Sequence, residues 1–374
     1  MASIFVLVII LGCAALMYLK STFVKSFFTV IISIISVAAA FGYFELLAGF
    51  LIEKNKLVPL AQPICFAVLF IVTFSILQTI AQQITRKPVD FGFMPEAIGR
   101  IICGIFLGLI VSGTLVTALV MAPLSNNLPY KRFDMEGKTK KVLLNADGFV
   151  TGWFGLLSKG PLSGQESFAA IHPQFLNETF LNRFNTANGV KAVTAEPGLN
   201  LLKEAAAWPA PENIRDAQNP KVTIEPKSGN NLIVVRAGIS KKAYSAGDSK
   251  FAFCQLSIVC KNQSDTKDPL KGNGEVYYPI GYFTTKTTVQ KVKLTEYMAL
   301  KAADFDGQIA WLDLVFDITA NSVPVMVKFK QNNIKRIPKL LNADQAVEIK
   351  PYLKEDVKKD EDKTDNTETD NSGD

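Results

Sequence analysis

The sequence predicts an α-helical membrane bundle of four transmembrane helices, followed by a mostly β soluble domain built as an immunoglobulin-like antiparallel sandwich. Four apolar runs fill the first 122 residues, with only short polar breaks between them. After residue 220, apolar residues recur at every second position and turn residues separate the segments. We therefore divide the chain into a transmembrane domain (1–124), a juxtamembrane connector with short helices (125–220), a β-sandwich domain (221–345) and a disordered charged tail (351–374).

The four apolar runs have the length that a membrane requires. A helix rises ~1.5 Å per residue, so about 20 apolar residues cross ~30 Å of hydrocarbon. The first run is slightly short, the second is long enough to tilt, and the last two match that length. We expect the lipid bilayer to be the partner of this region. The runs are Ile4–Leu19, Phe23–Ile52, Pro63–Ile84 and Ile98–Ala122.

The charges between the runs indicate the orientation in the membrane. Four spans place both chain ends on one side, and the positive-inside rule assigns the more basic connections to the cytoplasm. The first and third connections carry Lys20, Lys25, Arg86, Lys87 and Arg100, against Lys54, Lys56, Lys131 and Arg132 on the opposite face. This narrow excess predicts a multi-pass protein of the inner (plasma) membrane whose C-terminal domain lies outside the cytoplasm.

Small residues predict where the helices pack. In lipid, a helix face made of small residues lets two helix backbones approach closely and gain dispersion contacts. Gly104, Gly108 and Ser112 recur every four residues in the fourth run. The second run has a similar face, formed by Ala38, Gly42 and Gly49.

One carboxyl group lies within the second run. A carboxylate facing lipid is costly, so Glu45 is expected to point into the bundle or to lie near the interface. Ser75, Gln78 and Gln82 form one stripe on the third run, and Glu45 could meet that stripe. Such a polar site would suit a proton or solute path. The simpler interpretation, which we favour, is a hydrogen-bonded packing contact.

The spacing of apolar residues and the positions of turn residues predict the elements of the connector and of the β domain. Residues 146–158 are rich in aromatic residues and glycine, and this segment is expected either at the headgroup boundary or packed on the soluble domain. Short helices are predicted at Pro173–Phe184 and Gly198–Ala207. The candidate strands are Lys221–Glu225, Asn231–Ile239, Lys250–Cys260, Gly274–Tyr278, Phe283–Leu294, Gln308–Ile318 and Val323–Phe329. Within the sixth, Leu312, Leu314, Phe316 and Ile318 share the face expected to point into the core.

Composition excludes several function classes. The chain carries a formal net charge of +6. Its last 24 residues contain four Lys and nine Asp or Glu, so the remainder carries +11. This basic excess is scattered and has no basic block with interleaved aromatics, so we predict no nucleic-acid partner. In one strand Cys254 and Cys260 would lie ~20 Å apart, too far for a disulfide. The single histidine and unclustered cysteines exclude the usual zinc sites, and no nucleotide motif is present, so no metal or cofactor is expected.

The N-terminal third resembles the colicin V production protein (CvpA) family. The resemblance lies in Tyr18–Ser33, which joins the first two helices, and in Ile98–Leu109 with its Arg100, Gly104, Gly108 spacing. It covers residues 1–125. It departs at Ser3, where the family has an acidic residue, and at Lys20–Thr22, where the family has glycines. The resemblance implies a bacterial envelope protein with a role in producing or exporting a secreted toxin.

Some relatives in that family carry a trypsin-like protease, which His172, Asp216 and Ser249 imitate in chain order. Lys250 and Phe251 replace the glycines expected after the nucleophile, so we predict no enzyme. The leading interpretation is a non-enzymatic envelope protein. The alternatives are a small transporter or channel, and a membrane-anchored module that binds an envelope partner; a homo-oligomer is compatible with each.

Overall fold

The computed structural model describes residues 1–54, 56–85, 92–133, 139–163, 167–194, 196–244, 249–265, 268 and 270–350. The predicted disordered tail, 351–374, lies outside the described residues, as do Arg86 and Lys87. The chain divides into two compact units. Unit 1 comprises Met1–Glu196, Asp265–Val276 and Lys330–Asn332, and unit 2 comprises Pro197–Ser264, Tyr277–Phe329 and the chain from Asn333 onward.

Unit 1 is helical. The first four of its helices are long and apolar enough to cross a membrane, as the sequence predicts. The last helix confirms the short helix predicted at Pro173–Phe184. The helices are α1 (Ala2–Lys20), α2 (Phe23–Glu53), α3 (Ala61–Ile84), α4 (Phe93–Met121), α5 (Ala146–Lys159), α6 (Phe168–Ile171) and α7 (Phe175–Asn182).

The long helices pack through a shared core and turn apolar side chains outward. α1 packs on α4, α2 packs on α3, and α2 also contacts α4. Exposed apolar side chains cover the outer surface, including Ile4, Val8, Leu46, Phe50 and Ile71. Helices of a water-soluble bundle would place polar residues there, so this surface suits contact with lipid.

Helix α5 packs on the bundle. The Phe154 ring stacks on Phe41 of α2, with 5.0 Å between ring centroids. Val150 and Phe154 are buried in the core that the long helices form. The glycines of this segment lower its helix propensity, but the packing of one apolar face outweighs that cost. The structure therefore places residues 146–158 in unit 1 rather than on the soluble domain.

The rest of the described chain is rich in strands. The long strands are β4 (Asn230–Ser240), β6 (Leu256–Asn262), β11 (Ile309–Thr319) and β12 (Ser322–Phe329). The short strands are β1 (Leu199–Asn200), β2 (Ala207–Pro209), β3 (Arg215–Asp216), β5 (Lys250–Ala252), β7 (Glu275–Tyr277), β8 (Gly281–Phe283), β9 (Thr288–Lys291), β10 (Tyr297–Ala299) and β13 (Asn333–Arg336).

These strands form two larger sheets and one strand pair. One sheet has the order β1-β4-β11-β8-β9-β3, with β2 also paired to β4, and the other has the order β13-β12-β6-β7. Strands β10 and β5 form the pair. Strand β4 is antiparallel to β1, β2 and β11, strand β8 is antiparallel to β9 and β11, and strand β12 is antiparallel to β6 and β13. Strands β5 and β10 are also antiparallel, whereas β3 and β9 are parallel. A β domain with antiparallel sheets is thus confirmed.

Both larger sheets contribute to one hydrophobic core. Leu312, Leu314, Phe316 and Ile318 of β11 are buried there, as the alternation predicts, together with Ile258 of β6 and Val327 of β12. The opposite face of β11 is also covered, because Val315 lies in a second cluster around Trp208. The finer, immunoglobulin-like plan of the sandwich stays a prediction.

Several predicted elements differ from the structure. Gly198–Ala207 is not a helix but contains β1 and the start of β2, so the chain enters unit 2 at residue 197 rather than 221. Lys221–Glu225 forms no strand and contributes one bridge, between Thr223 and Arg215. Two other segments are each divided into two strands by a turn, Lys250–Cys260 into β5 and β6, and Phe283–Leu294 into the end of β8 and β9.

Candidate functional site

The predicted polar site inside the bundle is not assembled. Gln78 of α3 contacts Thr29 of α2, with its Nε2 donating to Thr29 Oγ1 at 3.3 Å. Glu45 lies 16 residues further along α2, which is about 24 Å of helix. Ser75 and Gln82 are exposed. The stripe on α3 and Glu45 therefore lie at different levels of the bundle, because the separation along α2 is greater than polar side chains can span.

The predicted small-residue face of α4 does meet another helix. A Cβ placed on Gly104 would lie 2.5 Å from Ala14 Cα, and one on Gly108 would lie 2.5 Å from Ile10 Cα. At both positions the backbone of α1 occupies the space that a side chain would need. Ser112 is fully buried, and its hydroxyl donates to Leu109 O at 3.2 Å.

The predicted face of α2 behaves differently. Ala38 is partly buried and packs against the core. Gly42 is exposed and Gly49 is partly exposed, and a Cβ added at either would meet no described atom within 4 Å. These glycines therefore bring no helix close among the described residues, and spacing alone did not show which side of α2 faces its neighbours.

An ion pair on α4 holds the connection between α1 and α2. Glu96 Oε1 accepts a hydrogen bond from Phe23 N at 2.9 Å, at the first residue of α2. Arg100 Nη2 donates to the same Oε1 at 2.9 Å, and its Nη1 donates to Tyr18 O at 3.3 Å. Glu96 thus satisfies a backbone donor at a helix start, and Arg100 satisfies a carbonyl near a helix end.

Glu45 meets the only histidine of the chain. His172 Nε2 lies 2.7 Å from Glu45 Oε1, and His172 Nδ1 lies 3.6 Å from Glu178 Oε2. Glu178 also accepts a hydrogen bond from Gln174 N at 3.0 Å, close to the start of α7. The imidazole is buried between Phe168 and Phe175, with 5.1 and 5.6 Å between ring centroids. This contact joins the α6–α7 segment to α2.

A buried arginine lies at the end of α4. Arg183 is fully buried and donates to the carbonyls of Leu119 and Val120 in the last turn of α4. It also donates to Leu124, Ser125 and Leu128 in the segment that follows. Burial lowers the pKa of Arg183 to about 10, so the guanidinium stays charged at neutral pH. A cation at a helix C-terminus satisfies carbonyls that have no partner within the helix.

A second arginine belongs to a polar chain beside α5. Arg132 Nε donates to Asn177 Oδ1 at 2.7 Å, and Arg132 Nη1 donates to Tyr130 Oη at 3.0 Å. The Tyr130 hydroxyl in turn donates to the fully buried carboxylate of Asp147. Burial, with the neighbouring Asp147 carboxylate, raises the pKa of Tyr130 well above its usual range. The chain therefore fixes the orientation of the Arg132 guanidinium.

Arg132 and Asn177 of this polar chain border a pocket of about 440 Å³ in unit 1. We call it the basic pocket. Arg132, Lys141 and Lys159 line it, and none of the described residues in its lining is acidic. Gly148, Gly152 and Gly155 of α5 form one wall, and His172 and Leu156 also contribute.

Unit 2 has a groove of different chemistry. The groove has a volume of about 670 Å³ and includes three prolines, Pro209, Pro211 and Pro226. Glu212 and Glu225 also line it, and no Lys or Arg does among the residues that the structure describes. We call it the acidic groove. The buried pair Arg236–Asp313 is separate from its lining, with 2.7 Å between Arg236 Nε and Asp313 Oδ1.

The protease-like residues do not form a triad within either unit. His172 belongs to unit 1, where it contacts Glu45 and Glu178, whereas Asp216 and Ser249 belong to unit 2. Asp216 instead pairs with Lys291 at 3.0 Å. The described residues contain no group of three or more His, Cys, Asp or Glu that could hold a metal ion.

Among known proteins, no family model, no curated protein and no solved structure matches this chain. The resemblance to the CvpA family stays a prediction from the residues quoted above.

Sequence reasoning missed most of the residues that build these sites. Glu96, Glu178 and Arg183 attract no attention in the sequence, because their partners are backbone groups or residues distant along the chain. One signal was available for Glu45 and His172. An acidic residue inside an apolar run and a single histidine are each unusual in a sequence, and these two features together could have predicted a contact between Glu45 and His172.

Proposed function

We propose that the protein is a non-enzymatic, multi-pass protein of the inner (plasma) membrane that presents unit 2 as a binding module to a partner in the envelope. One observation carries this proposal. A strand-rich unit with its own core and a groove occurs in a chain whose other unit has four helices of membrane-spanning length. A role in making or exporting a toxin has only the CvpA-like resemblance behind it.

The acidic groove suggests the chemistry of the partner. Its walls combine proline and aliphatic side chains with two exposed carboxylates, Glu212 and Glu225. Proline and aliphatic surfaces suit an extended peptide, and carboxylates favour Lys or Arg in that peptide. The proposed partner is therefore a protein segment that is extended, partly apolar and basic.

A crosslinking experiment in the native membrane tests the groove. A photoreactive residue placed at Asn231, an exposed position in the groove lining, should capture a discrete adduct of the full chain. Reversing both charges with Glu212→Lys and Glu225→Lys should remove that adduct. Glu204→Lys, an exposed change in unit 2 outside the groove, should leave it intact. An adduct that survives the double reversal would show that the groove does not bind the partner.

The orientation in the membrane has a separate test. The charges of the connections favour an extracytoplasmic unit 2. Reporters fused at Ser125 and at the C-terminus should both give the extracytoplasmic signal. A cytoplasmic signal at both positions would reverse the orientation without affecting the membrane placement itself.

The transporter alternative loses the support that motivated it. The transporter alternative has Glu45, Ser75, Gln78 and Gln82 share one path, but Glu45 contacts His172 instead. A flux assay in vesicles decides the matter, because Glu45→Gln should leave ion and solute flux unchanged. A loss of flux in that variant would support the transporter hypothesis.

A further inference from the structure

The basic pocket has a charge distribution that selects for anions. Arg132, Lys141 and Lys159 line it. Among the described residues, neither lysine pairs with a carboxylate, and Arg132 bonds only to the neutral groups of Asn177 and Tyr130. The carboxylates of Asp147 and Glu178 contact Tyr130 and His172 but do not line the pocket, so three cations around one cavity favour an anion between them. The lining also offers side-chain amide donors, from Asn145 and Asn273.

The walls of the pocket let an anionic group reach it. Gly152 and Gly155 of α5 have open space where a side chain would stand, because a Cβ at either position would meet no described atom within 4 Å. Arg132 is held in place by its bonds to Asn177 and Tyr130, so little side-chain entropy is lost when it binds an anion. The volume of about 440 Å³ accommodates a headgroup rather than a large ligand.

The position of α5 favours a lipid as the source of that anion. α1 and α4 run antiparallel, since Gly104 faces Ala14 and Gly108 faces Ile10. Extending this register places Gly113 about 5 Å from the start of α1, near the end of the membrane span. A Cβ on Gly113 would lie 2.2 Å from Ala146 O, so α5 begins at that level.

The exposed side chains of α5 agree with this level. Trp153 is 44% exposed and Leu156, which lines the pocket, is 66% exposed. A tryptophan and a leucine that face outward beside basic residues are typical of helices at the headgroup boundary. Basic pockets at such a boundary bind anionic headgroups.

We propose that the basic pocket binds the phosphate-bearing headgroup of an anionic phospholipid. Lys141 and Lys159 supply charge at the exposed side, and Arg132 supplies an oriented guanidinium within the pocket. The inference rests on the membrane placement in the proposed function, but it does not depend on the acidic groove.

The test compares lipids on the purified full chain. In native mass spectrometry from mild detergent, phosphatidylglycerol should be retained more tightly than zwitterionic phosphatidylcholine. The double variant Lys141→Gln, Lys159→Gln should reduce that preference by roughly 25-fold, since each lysine near a headgroup contributes on the order of a fivefold factor. Both lysines are exposed, so the fold should survive, which circular dichroism verifies.

The control variant is Lys56→Gln. Lys56 is exposed in the connection between α2 and α3 and does not line the pocket, so its removal should leave the preference intact. Equal retention of the two lipids, or equal losses in both variants, would overturn the proposal. A second arm adds inorganic phosphate: binding that needs Lys141 and Lys159, without any lipid preference, would assign the pocket to soluble phosphate and also refute it. Extraction of the chain by a carbonate wash would instead refute the membrane placement.

Discussion

Arg183 shows how one residue can complete the end of a membrane-length helix. The last carbonyls of a helix have no partner within it, and the side chain of Arg183, which meets those of α4, is fully buried. Arg183 donates to two carbonyls of that last turn and to three beyond it. A buried guanidinium loses its hydration, as its lowered pKa reflects, but charge-assisted hydrogen bonds offset that loss.

Replacing Arg183 should destabilise unit 1. We expect Arg183→Gln to lower the free energy of unfolding by about 2–5 kcal/mol, because five carbonyls lose a charge-assisted hydrogen bond from a buried guanidinium. Arg183→Lys should lose less, since an ammonium keeps the charge but reaches fewer carbonyls. Urea unfolding in mild detergent, followed by circular dichroism, measures both. If Arg183→Gln unfolded at the same urea concentration as the parent, the carbonyls would not depend on this side chain.

Cys254 gives unit 2 a distinct pH dependence. Burial raises the pKa of this thiol from 9.0 to about 12. Above pH 9 the unfolded chain releases the thiol proton while the folded chain keeps it, so stability falls as pH rises. The slope is about 1.4 kcal/mol per pH unit for one proton. Between pH 9 and 10.5, Cys254→Ala should show a shallower decline in unfolding free energy than the parent. Parallel curves would mean that the thiol titrates alike in both states.

The sequence predicted individual contact residues correctly where those residues pack against the backbone of another helix. Gly104 and Gly108 were identified by spacing alone, because close approach of two helices leaves a periodic trace in one of them. Glu45 was identified as unusual, but its partner was not, since His172 lies 127 positions away and is brought close only by the packing of α6 and α7.

At the scale of elements, the contact between α1 and α4 depends on the absence of side chains. Gly104 and Gly108 each face a Cα of α1 at the distance where a Cβ would clash. Backbone atoms cannot move aside as a flexible side chain can, so the two helices must separate to admit a methyl group. The glycines of α2 have no such neighbour.

This difference predicts opposite effects of the same substitution. Gly108→Ala should destabilise the bundle by about 1–3 kcal/mol, the usual cost of overpacking. Gly42→Ala, in open space on α2, should be neutral or stabilising by up to about 1 kcal/mol, because alanine is the better helix former. Thermal unfolding of both variants in the same detergent provides the comparison. A similar shift in both would show that helix propensity, not the contact with α1, determines the result.

Sequence periodicity predicted the long elements and failed at turns built from apolar residues. Residues 250–260 read as one strand because Phe, Cys and Leu continue the pattern. The structure inserts a turn at Phe253–Gln255, where Gln255 Oε1 accepts a hydrogen bond from Ala252 N at 3.1 Å. A turn that is stabilised by its own glutamine side chain needs no glycine and does not interrupt the hydrophobic pattern, so the sequence gives no sign of it. The beginning of unit 2 was missed for a related reason, since β1, β2 and β3 have only two or three residues each.

At the scale of the whole molecule, the chain does not finish unit 1 before it starts unit 2. Two later segments, Asp265–Val276 and Lys330–Asn332, return to unit 1. Leu270 O accepts a hydrogen bond from Ser167 N at 2.7 Å, and Gly274 N donates to Ala169 O at 3.3 Å. Gln331 N donates to Ala192 O at 3.0 Å, and Asn332 Oδ1 accepts from Thr194 N at 2.9 Å.

This arrangement predicts the result of truncation. A chain ending at residue 196 keeps the four long helices and should still enter the membrane, because their apolar length is unchanged. It loses the backbone partners of Ser167, Ala169 and Ala192, so we expect residues 139–194 to be cleaved by added protease much faster than in the full chain.

The matched control retains both returning segments. A chain truncated at residue 350 should resist protease as the full chain does, because it removes no described residue of unit 1. Mass spectrometry of the fragments, with both chains in the same nanodiscs, locates the cleavage sites. Equal protection of residues 139–194 in the shorter chain would mean that the helices after α4 fold on the bundle without the returning segments, and that unit 1 is complete at residue 196.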